Sequence, residues 1–321
     1  MAGAAYQQRA RSVGEPHVIV LLATRNGARH LKEQLESVRD QTVRSIDILA
    51  SDDGSTDQTR EILEAEASRW NKGRFEIVRG PCNGFAENFR SLVLRAYGDA
   101  DYYAFSDQDD IWDREKLETA RSSLAEVSMT TPALYCGATF TISEDGLPIG
   151  VSPIMRRAPS FRNALVQSIA GGNTMVMNKA AFRLLQKACR DKHFVSHDWW
   201  AYLIVSGAGG TVIYDKNPLT HYRQHEANLV GANVGLAARA RRIRLVMRGQ
   251  WSDWIETNLA ALDANRDLLT AENRRCLDEF AALRQQAGPL NRLRLLARLR
   301  LYRQSLPGNI SMVVALFVHK F

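Results

Sequence analysis

Tyr102-Tyr103-Ala104-Phe105-Ser106-Asp107-Gln108-Asp109-Asp110-Ile111-Trp112 joins a short apolar run to three carboxylates within four positions. The first four residues have the aromatic, apolar character of a strand, and the acidic residues follow almost at once. At a strand end, residues two apart project to the same side, so Asp107 and Asp109 converge on one point. Two bare carboxylates there repel. A hard divalent cation removes that penalty and keeps coordination positions open for phosphate oxygens. The run therefore predicts a strand carrying a metal-diphosphate site. The competing reading is a solvated acidic turn ahead of a helix beginning near Arg114, because Asp is common at turns and caps.

A second acidic cluster stands in an equivalent setting. Residues 47–50 form a short apolar strand, and Ser51-Asp52-Asp53-Gly54-Ser55-Thr56-Asp57 follows it immediately. Upstream, His17-Val18-Ile19-Val20-Leu21-Leu22-Ala23 is continuously apolar and ends in Thr24-Arg25-Asn26-Gly27, the pattern of a fully buried parallel strand entering a loop. Leu31, Leu35 and Val38 share a helical face, further helices fit residues 57–68 and 86–97, and residues 75–78 read as a third strand. This alternation predicts an α/β fold with a mostly parallel central sheet flanked by helices. Ligands of such sheets lie across the carboxyl ends of the strands, which places Thr24, Arg25, Asp53, Asp107 and Asp109 in one cleft.

The second half is less regular. Residues 133–136 and 140–142 look like strands, residues 161–168 like a helix leading to Gly171-Gly172-Asn173-Thr174, and residues 175–177 like a strand before a helix over 179–188. His197-Asp198-Trp199-Trp200 heads an apolar helix reaching Val205. From about Gly235 onward the chain reads as basic amphipathic helix, with turns at Gly288-Pro289 and Pro307-Gly308. The expected organisation is a flexible stretch over 1–15, a catalytic domain over 16–232 and a helical region over 233–321.

At 321 residues and 45% apolar composition, a substantial core is available. The 42 Lys and Arg against 35 Asp and Glu give a formal charge of +7, which points to an anionic partner. Arg239, Arg241, Arg242, Arg244 and Arg248, then Arg292, Arg294, Arg298, Arg300 and Arg303, are interleaved with Leu and Ile, and no recognised nucleic-acid motif accompanies them. An anionic membrane surface is the expected partner, and nucleic acid is not. Leucines at 293, 296 and 299, or at 295, 299 and 301, give residues 290–306 the pattern of an interfacial helix; ordinary packing with a basic solvent face explains the same pattern. No apolar run reaches the roughly 20 residues that span a bilayer. Residues 1–15 are polar and lack the apolar centre of a secretory signal, so the expected location is cytoplasmic and peripheral on the inner face of the membrane. Cys82, Cys136, Cys189 and Cys276 are far apart and read as reduced thiols.

Ala23-Thr24-Arg25-Asn26-Gly27, Ser51-Asp52-Asp53-Gly54-Ser55-Thr56-Asp57, Asp107-Gln108-Asp109-Asp110-Ile111-Trp112 and His197-Asp198-Trp199-Trp200, in that order, resemble the family-2 glycosyltransferases with the A-type nucleotide-diphospho-sugar fold. Together with Tyr222-Arg223-Gln224-His225 and Asn228 they are similar to bacterial rhamnosyltransferases that build cell-surface polysaccharides such as O-antigen, over residues 17–232. Each motif alone is weak, and the ordered set carries the likeness. The resemblance implies that Thr24, Arg25 and Asn26 border the nucleotide, although many relatives have Tyr in place of Arg25. It implies that Asp53 accepts a hydrogen bond from a pyrimidine N3–H and that Gln108 adjoins the nucleotide sugar. Asp107 and Asp109 match the D-x-D that binds Mg²⁺ or Mn²⁺, with Asp109 the direct ligand; His225, and with less support His221, falls where relatives place a group on the metal or diphosphate. Asp198 matches the catalytic base of an inverting reaction, while Trp199, Trp200, Gly172 and Asn173 would border the acceptor. The implied donor is dTDP-L-rhamnose and the implied acceptor a lipid-linked glycan.

Plainer roles compete residue by residue: a helix cap for Asp198, core packing for Trp199 and Trp200, a structural histidine at 225 and a simple turn for Gly172 and Asn173. Two rival functions share the pattern. One is a sugar-1-phosphate nucleotidylyltransferase, which usually has a glycine-rich loop where this chain has Thr24-Arg25-Asn26-Gly27-Ala28. The other is an inactive nucleotide-sugar-binding subunit.

Overall fold

Strand β1 (His17–Thr24) is the reference strand of the protein, with no residue from Val18 to Leu22 more than 1% exposed. Its alternation sorts the core. Val18, Val20 and Leu22 pack with Leu31, Leu35 and Val38 of α1 (Leu31–Arg39) on one face of the sheet. Ile19 and Leu21 pack on the other with Phe89, Leu92 and Val93 of α3 (Phe85–Arg95). A strand covered on both faces has no need of polar residues, which is why its sequence is continuously apolar. The computed structural model describes residues 15–97, 99–190, 193–224, 250–285 and 288–317.

Around β1 lie β2 (Ser45–Asp52), β3 (Phe75–Arg79), β4 (Tyr102–Ser106), β6 (Ala133–Gly137), β9 (Val176–Asn178) and β10 (Thr211–Asp215). They form a seven-stranded sheet of order β10-β6-β9-β4-β1-β2-β3. Strands β1 to β4 run parallel, as do β6 and β10, while β9 is antiparallel to both β4 and β6. Because β1, β2 and β4 are parallel neighbours, the residues after each of them emerge at one edge.

A second sheet of order β5-β11-β7-β8 contains β5 (Ile111–Trp112), β7 (Phe140–Ile142), β8 (Pro148–Val151) and β11 (Thr220–Arg223). Strand β5 forms inside the stretch for which the competing sequence reading was a solvated turn, and α4 (Lys116–Ala125) begins just beyond it. The acidic run therefore joins one sheet to the other. Helix α2 (Thr59–Arg69) and α6 (Lys179–Ala188) complete the layers. Helix α5 (Phe161–Ala164) is shorter than the expected 161–168 and is capped by Ser160, whose side chain accepts from the Asn163 N–H.

Helix α7 (His197–Gly207) is apolar all round and is buried accordingly, every residue from Trp199 to Val205 being at most 6% exposed. Four further helices, α8 (Gln250–Ala264), α9 (Ala271–Gln285), α10 (Pro289–Leu299) and α11 (Leu306–Phe317), contribute Ile255, Leu262, Phe280, Leu283 and Leu316 to the core that α6 and α7 share. They are fastened to the end of α7 by the Thr270 N–H to Gly207 O at 3.0 Å and by the Asn273 amide on the Ser206 and Gly207 carbonyls. Leu296, Leu299 and Leu301 are buried, so most of the leucine stripe read as lipid-facing packs inward instead. Pro307-Gly308 sits in the first turn of α11, where a missing N–H costs nothing, and does not end a helix. No helix among the described residues is long and apolar enough to cross a membrane. The basic stretch 239–248 lies outside them.

Candidate active site

The loops after β1 and β2 are sewn together before any ligand is considered. Asp53 N–H donates to Thr24 O at 2.9 Å, and Thr24 Oγ1 donates to Ser51 O at 3.2 Å. Asn26, at φ 49°, receives the Thr56 N–H on Oδ1 at 2.8 Å and gives its own N–H to Ser55 Oγ at 2.9 Å. The acidic run is tied to the same frame. Gln108 Oε1 accepts the Arg25 N–H at 2.8 Å and Nε2 donates to Arg25 O at 3.0 Å. A Cβ on residue 27 would overlap that carboxamide, so any larger residue there would displace the Gln108 side chain from Arg25. The sequence reading put Thr24, Asn26 and Gln108 on the nucleotide; the structure engages their side chains in this frame, and leaves the Arg25 side chain exposed at the rim.

Asp53 is 2% exposed. Its Oδ1 accepts the Cys82 N–H at 2.6 Å, while buried Oδ2 has no partner among the described residues. A buried carboxylate oxygen without a donor costs about 1–3 kcal/mol or more, so this atom is set to receive an N–H.

The main acidic cluster gathers two remote segments. Burial first, then the negative charges of Asp110, Asp109 and Asp198, hold the Asp107 carboxyl well above the ordinary carboxylate range. Tyr222 on β11 is raised by its burial and by the same four charges, those of Asp110, Asp107, Asp109 and Asp198. Asp110 is 1% exposed; its Oδ2 accepts from Asn173 Nδ2 at 2.5 Å and its Oδ1 from the Arg223 N–H at 3.1 Å. Burial and the charge of Asp109 push Asp110 up to about 7, against the lowering effect of those two donors. Beneath lies Lys116, 1% exposed, its Nζ donating to Asn173 O at 2.8 Å and standing 3.2 Å from the Trp112 ring centre. Burial holds Lys116 well below the usual lysine range, while Asp110 and Asp107 pull it the other way. Asn173 thus links both signs, side chain to Asp110 and carbonyl to Lys116.

Asp198 sits in the first turn of α7, half-buried, with Oδ1 accepting from Ser196 Oγ and from the Trp199 N–H at 2.7 Å. Its neighbour His197 is stacked on Phe89 at 3.6 Å between ring centres and meets Phe105 edge-on at 4.7 Å. Neither ring nitrogen of His197 has a partner among the described residues, and burial lowers its pKa to about 4 against the pull of Asp198.

The four residues expected to border the acceptor are all buried. Trp199 is 6% exposed with its indole N–H on Ala164 O at 2.7 Å, and Trp200 is fully buried beside Phe194. Gly172 is buried against His197, whose ring a Cβ would overlap, and Asn173 is the clamp just described. All four support the site from behind. His221 pairs through Nε2 with Asp113 Oδ1 at 2.9 Å and stacks on Phe140, so strand alternation turns the next residue, Tyr222, to the carboxylates. His225 lies outside the described residues.

Asp110, Lys116, His197 and Tyr222 were not singled out from sequence. Lys116 left a trace, since it shares a helical face with the buried Ala120 and Leu124. Among the described residues, no group of three or more His, Cys, Asp or Glu side chains is arranged to hold a metal ion.

A parallel sheet with an acidic run at the carboxyl end of β4 and a small second sheet closing over it is the A-type fold of nucleotide-diphospho-sugar glycosyltransferases. S. aureus TarS 1-349, solved in complex with UDP-GlcNAc, matches with a TM-score of 0.53 at 16% identity, over 83% of this chain and 87% of that one. The mannosyltransferase PcManGT from Pyrobaculum calidifontis, solved with GDP-Man and Mn²⁺, matches with a TM-score of 0.50 at 18% identity, over 96% and 86%. The chain belongs to Glycosyl transferase family 2, whose profile matches residues 19–189 and so takes in Asp53, Asp107, Asp109 and Asp110. It is 31% identical over 245 residues to the dTDP-rhamnosyl transferase RfbG of Shigella flexneri, covering 72% of this chain and 80% of that protein. It is 29% identical over 172 residues to TuaG of Bacillus subtilis (strain 168), a putative teichuronic acid biosynthesis glycosyltransferase, covering 51% and 63%.

Proposed function

We propose that this glycosyltransferase is inverting and metal-dependent, and moves L-rhamnose from dTDP-L-rhamnose to a hydroxyl of a growing, lipid-linked cell-surface polysaccharide at the inner face of the cytoplasmic membrane. The observation that carries the reading is the convergence of carboxylates from two remote segments, Asp107, Asp109 and Asp110 after β4 and Asp198 in the first turn of α7, close enough for the charges of the other three to act on Asp107 and for all four to act on Tyr222. The likeness to RfbG supports the rhamnosyl donor and the polysaccharide context.

The residues fit a divalent cation, because the carboxylates outnumber the one buried lysine facing them, and burial first, then their repulsion, keeps Asp107 toward its protonated form. Asp107 and Asp109 would hold Mg²⁺ or Mn²⁺, which when bound supplies Lewis-acid stabilisation of the diphosphate leaving group. Asp53 Oδ2, lacking a donor, takes the N3–H of the pyrimidine. Asp198 removes the acceptor hydroxyl proton as that oxygen attacks the anomeric carbon opposite the diphosphate; the new C–O bond forms, the bond to the diphosphate oxygen breaks, and the proton remains on Asp198. Ser196 and the Trp199 N–H fix the orientation of that base.

A panel of nucleotide sugars assayed for enzyme-dependent hydrolysis in Mn²⁺ tests the donor without needing an acceptor. Turnover of dTDP-L-rhamnose above UDP- and GDP-sugars is expected; preference for another donor would replace rhamnose, and turnover undiminished by EDTA would remove the metal.

A further inference from the structure

Ten of the thirteen large apolar side chains exposed among the described residues fall in two short stretches, 147–154 and 290–317. In α11 they make one line. Leu306, Ile310, Val314 and Phe317 follow at spacings of four, four and three, are 46–74% exposed, and lie opposite the buried Met312, Ala315 and Leu316. A surface helix of an ordinary monomer carries polar residues on that face.

Helices α10 and α11 form a hairpin. Arg303 N–H donates to Asn309 Oδ1 at 2.8 Å near the turn, and the Arg292 guanidinium reaches Leu316 O at 3.4 Å at the open end. That contact brings the exposed Leu290 and Leu293 to the Phe317 end of the line. At the turn, Gln304 exchanges two hydrogen bonds with the Arg157 backbone, at 2.9 and 3.0 Å, and the Arg157 guanidinium stacks on Tyr302 at 3.7 Å. The second apolar stretch, exposed edge strand β8 and Ile154, lies just ahead of this anchored Arg157 in the chain. Through β7, β8 belongs to the sheet whose β11 carries Tyr222.

The charge on this surface has one sign. Residues 289–317 contain five arginines and no Asp or Glu, and residues 147–160 contain two arginines and no Asp or Glu. Arg294, Arg300 and Arg156 are exposed and have no acidic partner among the described residues, whereas Arg298 pairs with Glu279. A second copy seated symmetrically would set arginine against arginine. A sheet of lipid phosphates complements both the charge and the apolar line.

We infer that the α10–α11 hairpin with the β8 edge is a docking surface for an anionic phospholipid bilayer, its apolar line in the interface and its arginines at phosphate level. The surface uses other residues than the leucine stripe expected from sequence, and it stands apart from the choice of donor or acceptor. It gives the acid cluster a fixed relation to the membrane plane, through the sheet that both share.

The test is flotation of the full chain with phosphatidylcholine vesicles, with and without phosphatidylglycerol. Wild type should bind at least about tenfold better when phosphatidylglycerol is present and be released by salt. The double variant Ile310→Asp, Val314→Asp should lose at least about tenfold in binding, while its melting temperature and its donor hydrolysis in vesicle-free solution stay at the wild-type level. Arg294→Glu with Arg300→Glu should abolish the preference for phosphatidylglycerol. Failure of wild type to float, or equal flotation of the Asp variant, overturns the proposal, as does a wild-type dimer that the Asp variant converts to monomer without any vesicle binding. Loss of hydrolysis alone would instead count against the catalytic reading.

Discussion

At the carboxyl ends of β2 and β4 the charged side chains are enclosed and committed: Asp110 to Asn173 and Arg223, Asp53 Oδ1 to Cys82, Lys116 to Asn173. In the α10–α11 hairpin Arg294 and Arg300 stand in solvent and have no acidic partner among the described residues. An enclosed charge depends on a particular second group, so a single substitution there is felt in full. An exposed charge is screened and contributes little alone, so the hairpin acts through the number and sign of its arginines.

Substitutions can break or sharpen that contrast. The largest effect belongs to Asp198→Asn, which should cut sugar transfer by about 10²–10⁴-fold while calorimetric nucleotide affinity stays at the wild-type level; undiminished transfer would remove the base assignment.

Next comes acidity at His197. Its folded pKa, about 4, lies below its ordinary value, so its contribution to stability is complete above about 6.5 and is lost as pH falls toward 4, a loss of about 3 kcal/mol for a shift of this size. The raised carboxyl of Asp110 acts in the opposite sense, since stability is lost as pH rises toward 7. His197→Phe isolates the first effect: lowering the pH from 7 to 5 should shift the denaturant midpoint further toward the folded state in the variant than in wild type, because the opposing Asp110 contribution is then unmasked, and an unchanged pH response would refute the assignment.

Asn173→Ala leaves Asp110 Oδ2 without its donor and should lower stability by about 1–3 kcal/mol in urea titrations, most of it absent if the cluster were solvated. Asp53→Asn turns an N–H donor toward the pyrimidine N3–H. It should weaken nucleotide diphosphate binding about tenfold, about 1.4 kcal/mol, with little change in kcat. The smallest effect is expected for Arg298→Ala, which loses an exposed pair with Glu279 and should stay within about 0.5 kcal/mol of wild type by the same titration.

Strands β1 and β4 were readable because a strand buried on both faces writes itself as an unbroken apolar run, and β2, which Asp47 interrupts, because Ile48-Leu49-Ala50 leads directly into the acidic loop. Strand β5 has two residues and no period to detect, β8 is wholly exposed, and nothing in Val176-Met177-Asn178 specifies that β9 runs against its neighbours. The carboxylates were readable because they follow strands directly. Their supports were not, because those contacts span long separations: 63 residues from Asn173 to Asp110, 57 from Lys116 to Asn173 and 83 from Gln108 to Arg25. For Trp199 and Trp200 the family likeness pointed to the acceptor and the all-round apolar helix to core packing, and their burial is the part the helix pattern made legible.

The carboxamide of Gln108 fills the space above Gly27 and grips both the backbone N–H and the backbone carbonyl of Arg25. A first loop with a side chain at position 27 would meet that carboxamide unless position 108 changed with it. Remodelling of this rim should therefore come as paired replacements in two segments some eighty residues apart.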